Sequence, residues 1–158
     1  MNFEKLFVSE QILDWPREKV FGFFSDARNL QNITPPLLDF TILSKLPIEM
    51  KSGTLIDYRL KVHGLPIRWT SEILNWNPPN SFVEVQLRGP YALWHHTHEF
   101  VALDADKTLI KDTVRYKVPF GPLGLIAEKF FVRKDIEKIF EYRRAQIAQL
   151  LEGWVGQN

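Results

Sequence analysis

The chain has 158 residues, with 20 Lys and Arg against 19 Asp and Glu and a formal net charge of +1, a length that fits one domain burying roughly 70% of its unfolded surface. Neither sign forms a run of five or more, which argues against a nucleic-acid partner, because such surfaces depend on clustered cations that release phosphate counterions. Cys is absent, so a disulfide framework, thiol catalysis and thiolate metal sites are excluded together.

The first residues, MNFEKLFVSEQILDW, lack a basic region followed by an apolar core and a small-residue cleavage site, and no apolar run approaches ~18 residues. A cytoplasmic protein without an integral membrane segment is expected. Aromatic residues reach 13%, with 12 Phe and 5 Trp, so something wide has to be filled or lined.

Residues 3 to 13 mix Phe3, Leu6, Phe7, Val8, Ile12 and Leu13 with polar positions in imperfect alternation, which predicts a first strand. Pro16 suits a first-turn helix position, and Val20, Phe21, Phe23 and Phe24 give that short helix an apolar side. Asp26 caps a second short helix over Ala27 to Ile33, which Pro35 and Pro36 end. From 39 to 118 the period becomes two, with breaks at Pro47 to Gly53, Gly64 to Pro66, Asn77 to Asn80, Gly89 to Pro90 and Asp104 to Lys107. Six strands fit around those breaks, and short connections imply antiparallel neighbours.

The last segment opens with Gly121, Pro122 and Gly124. Leu123, Ile126, Ala127, Phe130, Ile136, Ile139, Phe140, Arg143, Ile147, Leu150 and Leu151 then recur at helical spacing. The expected fold is α+β: a seven-stranded curved antiparallel sheet wrapping a long C-terminal helix, with two short helices after the first strand. Such a sheet cannot close over its own concave face, and a gap beneath the helix becomes a pocket.

Chemistry concentrates in Gly89-Pro90-Tyr91-Ala92-Leu93-Trp94-His95-His96-Thr97-His98-Glu99-Phe100. On a strand, Trp94, His96, His98 and Phe100 share one face and His95, Thr97 and Glu99 the other. The two histidines are then either inward polar groups in an apolar cavity or an outward polar stripe. A metal would need further ligands, and His63, Glu72 and Asp112 qualify only by residue type; no metal and no cofactor are expected. Asp112 lies in phase with Ile110, Val114 and Tyr116, so it points inward and needs a partner, for which Arg59, Arg68, Arg88 and Arg115 are available. Arg143 interrupts the apolar stripe of the last helix, either laying its stem along the core or anchoring a ligand head group. No phosphate loop, nucleophile elbow or HExxH helix is present.

Thr34-Pro35-Pro36, Tyr58-Arg59-Leu60, Pro66-Ile67-Arg68-Trp69, Trp76-Asn77-Pro78-Pro79, and Gly89-Pro90-Tyr91 with Trp94, His96 and His98 resemble the START-like, or SRPBCC, superfamily. This is the polyketide cyclase/dehydrase and lipid-transport group with the helix-grip fold, and the likeness is to its small bacterial ligand-binding proteins, from about Phe3 to about Leu151. The resemblance implies a single ligand-binding domain over residues 1–158 that holds or transports a hydrophobic small molecule, such as a lipid, quinone, sterol-like or polyketide-like compound. The expected cavity residues are Tyr58, Leu60, Trp69, Tyr91, Trp94, His96, His98, Phe100, Asp112, Tyr116, Ile126, Ala127, Phe130 and Arg143.

Two other functions are weighed beside binding. One is a cyclase or dehydratase with His96 or His98 as general base and Asp112 or an Arg stabilising an enolate. The other is a protein-interaction module linked to cell division, a role that family labels alone suggest. A homodimer is compatible with each of these.

Overall fold

The computed structural model describes residues 3–154, so the ends of the expected 1–158 domain lie outside the described residues. The chain runs β1 (Lys5–Leu13), α1 (Arg17–Phe24), α2 (Ala27–Asn32), a 3-10 turn (Pro36–Leu38), β2 (Thr41–Ile42), β3 (Leu55–Val62), β4 (Leu65–Asn77), β5 (Ser81–Arg88), β6 (Leu93–Asp104), β7 (Lys107–Lys117), α3 (Gly121–Ala127), a π-helical turn (Glu128–Val132) and α4 (Arg133–Gly153). The strands form one antiparallel sheet in the order β1-β7-β6-β5-β4-β3-β2. Fold class and element order are those expected from the sequence.

Local chemistry explains several boundaries. Pro16 stands immediately before α1, and the Asp26 carboxylate accepts from the Arg28 backbone N–H at 3.0 Å to cap α2. The β3–β4 turn is tighter than the expected Gly64 to Pro66 break. Val62 already pairs with Leu65, leaving only His63 and Gly64, both at positive φ (50° and 80°), as a two-residue hairpin loop. Pro66 is inside β4. It is tolerated because pairing with β5 begins only at Thr70, so its side of the strand has no ladder bond to lose. Register shifts between Thr70 and Ser71, between Leu74 and Asn77, and between Ala102 and Asp104 bend the long strands.

Two apolar clusters hold the sheet and helices together. Phe21 of α1 meets Phe82 of β5, Phe100 of β6 and Trp76 of β4, with ring centroids 5.2–6.1 Å apart. Val114 and Tyr116 of β7 pack with Ile136 and Phe140 of α4, under Phe7 of β1.

The C-terminal helix departs from a single uninterrupted stripe. Across the π turn the hydrogen-bond ring widens by one residue, which rotates everything before it relative to α4. Ile136, Phe140, Ile147 and Leu151 of α4 are buried as their spacing requires, whereas Leu123, Ile126 and Phe130 are exposed. Glu128 takes the buried place instead, accepting a hydrogen bond from the Tyr116 hydroxyl at 2.8 Å. Close approach fixes the start of α3, since a Cβ on Gly124 would stand 2.1 Å from the Pro119 carbonyl oxygen.

Candidate functional site

Between the concave face of the sheet and the helices lies a cavity of about 1230 Å³, above the roughly 300–1,000 Å³ of ordinary ligand pockets. β3 and β4 project Ile56, Tyr58, Leu60, Trp69 and Ile73 into its wall, because alternate side chains of a strand share a face. Ala127, Ile136, Phe140 and Arg143 close it from the helical side, and Phe23, Leu30 and Ile33 from the two short helices. Most of this lining is apolar.

One patch of the wall is not. His96 and His98 of β6, Glu84 of β5 and Ser71 of β4 converge on the concave side, with Asp112 of β7 opposite His98 in register. The His96 Nε2–H donates to Asp112 Oδ1 at 2.7 Å. His98 Nδ1 lies 2.9 Å from the same oxygen, within ion-pair range but out of line for a hydrogen bond, and its Nε2 is 3.8 Å from Glu84 Oε2. The Ser71 hydroxyl donates to Glu84 Oε1 at 2.7 Å and accepts from Trp69 Nε1–H at 3.0 Å. Since its one proton goes to Glu84, the Tyr58 hydroxyl at 3.4 Å is the donor in that contact.

The electrostatics follow from this packing. Burial opposes charge on every member, yet the two imidazoles hold Asp112 far below the ordinary carboxylate range, and His98 and Ser71 help bring Glu84 down to about 2. The histidines divide. Burial and the neighbouring His98 push His96 down to about 4, whereas the two carboxylates outweigh burial at His98 and raise it. Near neutral pH the cluster therefore holds two carboxylates and a neutral imidazole at His96, and of the two imidazoles His98 is the one that favours the proton. With Nε2–H committed to Asp112, the basic atom of His96 is Nδ1.

Burial, reinforced by the Glu84 charge, raises Tyr58 well above the usual phenol value, so it enters the site as a neutral donor. Arg143 stacks its guanidinium 5.0 Å over the Phe140 ring, and its buried Nε has no hydrogen-bond partner. A buried, unsatisfied cationic donor on a cavity wall is a ready contact for an acidic or carbonyl oxygen.

Of the expected cavity residues, the structure places Tyr58, Leu60, Trp69, Tyr91, Trp94, His96, His98, Ala127 and Arg143 on the lining. Asp112 and Tyr116 stand behind it, bonded to His96 and Glu128 respectively, and Phe100 belongs to the aromatic core around Phe21. Ile126 and Phe130 are turned outward by the π turn. The partners of Asp112 are histidines rather than arginines: Arg59, Arg68 and Arg88 are exposed, and Arg115 pairs with Glu4 at 2.6 Å.

Glu84 and Ser71 were not expected, although Glu84 lies in phase with Phe82 along β5. Glu84, His96 and His98 offer three ligand atoms within 4.8 Å of one another. Those groups are already engaged with Asp112, Ser71 and each other, so proton sharing needs no further component. Glu72 sits between Ser71 and Ile73 and faces the other side of β4, while His63 is at the hairpin tip, 2.8 Å from Asp135.

A family model described as polyketide cyclase / dehydrase and lipid transport matches residues 13–139. No curated protein matches the chain by sequence. Among solved structures, an aromatase/cyclase from a Streptomyces species superposes with a TM-score of 0.76 at 17% identity, covering 94% of each chain. Norcoclaurine synthase from Thalictrum flavum, solved with dopamine and hydroxybenzaldehyde, gives 0.70 at 15% identity over 96% of this chain and 89% of its own. A Thermus thermophilus protein, TTHA0849, gives 0.69 at 18% identity over 94% and 97%. At these identities the likeness concerns the fold.

Proposed function

The chain belongs to the polyketide cyclase / dehydrase and lipid transport family, and on that premise we propose that it is a single ligand-binding domain, acting in the cytoplasm, that holds one hydrophobic small molecule beneath α4. The observation that carries this reading is the cavity of about 1230 Å³ with its largely apolar lining. Burying roughly 300 Å² of apolar ligand surface contributes about 7 kcal/mol before the entropic costs of association. The polar patch sets the ligand's orientation. A hydroxyl or carbonyl on an otherwise apolar molecule meets Tyr58, His96 and Arg143, and a ligand lacking one leaves the Arg143 donor unsatisfied.

Mass spectrometry of the organic extract of freshly purified protein is expected to return one hydrophobic compound near one equivalent. Ala127→Trp, which fills the cavity from the helical side, is expected to expel it while the protein stays folded. Unchanged occupancy in the folded variant would overturn the assignment of the cavity.

One observation favours chemistry on the bound molecule as a second reading. His96 is kept neutral by burial and the neighbouring His98 and is oriented by Asp112, the condition for a general base near pH 7. Asp112 then positions the base instead of touching the substrate. If turnover of the extracted compound is found, His96→Ala is expected to lower it at least ~100-fold, and an unaltered rate would remove His96 from any mechanism.

A further inference from the structure

The mouth of the cavity has the opposite character to its wall. Phe120, Leu123, Ile126, Phe130 and Phe131 fall within residues 120–131, and all are exposed, Phe120 at 81% and Leu123 at 72%. Phe120 and Leu123 border the cavity, as does His63 at the β3–β4 hairpin tip. The His63 ring meets the Phe131 ring edge-on at 6.2 Å, and Leu65 beside it is 69% exposed. The apolar surface therefore spans two elements, each of which borders the cavity. Folding does not require it. Phe120 even holds a left-handed backbone conformation (φ 73°), which a side chain of its kind adopts only with strain.

Cations are interleaved with these side chains. Lys129 and Lys134, with Lys138 one turn further on, lie in or beside the same stretch, and Lys129 lies 5.8 Å over the Phe130 ring. The acidic residues there are otherwise committed: Glu128 is buried against Tyr116, Asp135 is at His63, and Glu137 is 3.1 Å from Arg133. We propose that this rim docks the protein onto an anionic lipid bilayer, placing the cavity mouth against the acyl boundary so that the ligand passes between membrane and cavity without crossing water.

The mixture itself selects the occupant. Cores of protein–protein interfaces are depleted in Lys, whereas Phe and Leu beside Lys and Arg match the boundary between acyl chains and anionic headgroups. Among the described residues no helix is long and apolar enough to span a membrane, so the contact is peripheral. This inference rests on the cavity being a hydrophobic-ligand site and adds the surface from which the ligand is taken.

The test is co-sedimentation of the full chain with phosphatidylcholine vesicles, with and without phosphatidylglycerol. Binding is expected only with phosphatidylglycerol, weakening steeply between about 0.1 and 0.5 M salt as headgroup attraction is screened. Phe130→Ser with Phe131→Ser, two exposed residues outside the cavity lining, is expected to reduce it at least 10-fold while thermal unfolding is unchanged. Lys129→Glu with Lys134→Glu is expected to do the same by charge alone. No sedimentation of the wild type at low salt would overturn the proposal. So would equal binding to neutral vesicles, or a dimer in sedimentation velocity that the Phe130→Ser, Phe131→Ser variant dissociates. A chain that sediments with vesicles yet yields no extracted compound would count against the ligand reading alone.

Discussion

The wall and the mouth of the cavity invert the usual placement of side chains. At the wall, Glu84, His96, His98 and Asp112 are ionisable and withdrawn from water; at the mouth, Phe120, Leu123, Ile126, Phe130 and Phe131 are large, apolar and exposed. The two regions are stabilised differently. Each wall residue is held by strand register and by partners 2.7–3.8 Å away, so removing one strands the others. Mouth residues stand largely in solvent, so their substitution is expected to leave the fold as it was. Burial of charge is tolerable only where partners compensate it, and a contiguous exposed apolar patch, unlike scattered single residues, marks a surface for contact.

The most severe way to break the comparison is at the centre of the wall. Asp112→Ala leaves buried His98 with only the more distant Glu84 and removes the acceptor of His96. Deleting one partner of a buried pair costs about 3–5 kcal/mol, and urea denaturation at pH 7 is expected to show a loss of that size. A loss below ~1 kcal/mol would mean that water reaches the cluster and the wall is not a dry site.

A smaller effect is expected where wall and helix meet. Glu128→Ala leaves the buried Tyr116 hydroxyl without its acceptor, at a cost of about 1–3 kcal/mol. Gln at this position still accepts the hydrogen bond and is expected to restore most of the loss. If Gln is as damaging as Ala, the charge rather than the hydrogen bond holds the π turn.

Regularity decided which parts of the site were legible in the sequence. β6 and β7 run in register from Leu93↔Lys117 to Ala102↔Thr108, so period two placed Trp94, His96, His98 and Asp112 on the concave side. Along β5 the same rule misleads. Val83, Val85 and Leu87 face away from the cavity, and Phe82, Glu84 and Gln86 face it, so the apolar alternation points to the wrong side and hides Glu84. Its inward place depends on Ser71 and His98, contributed by two other strands. In the last helix one π turn breaks the phase between Ala127 and Arg133, and no spacing rule reports an inserted residue. Its sign is chemical: a glutamate, Glu128, where the stripe should be apolar and where only a buried tyrosine hydroxyl explains it.

The gentlest test separates the two histidines by the sign of their pH dependence. His96 is lowered to about 4 on folding, against about 6.5 in an unfolded chain. Between these values the unfolded state binds a proton that the native state refuses, so this group costs stability as pH falls. His98 is raised on folding, so its contribution is complete below about 6.5 and is lost as pH rises through its folded value. From pH 7 to pH 5.5 the two oppose each other, and the His96 contribution is the larger, leaving a net loss of stability in the wild type. His96→Gln removes the acid-sensitive member while keeping a donor towards Asp112. Over the same interval the variant is expected to gain stability slightly instead of losing it, as chemical denaturation at each pH would show. A variant that kept the wild-type slope would place the neutral imidazole, and with it the basic atom, elsewhere.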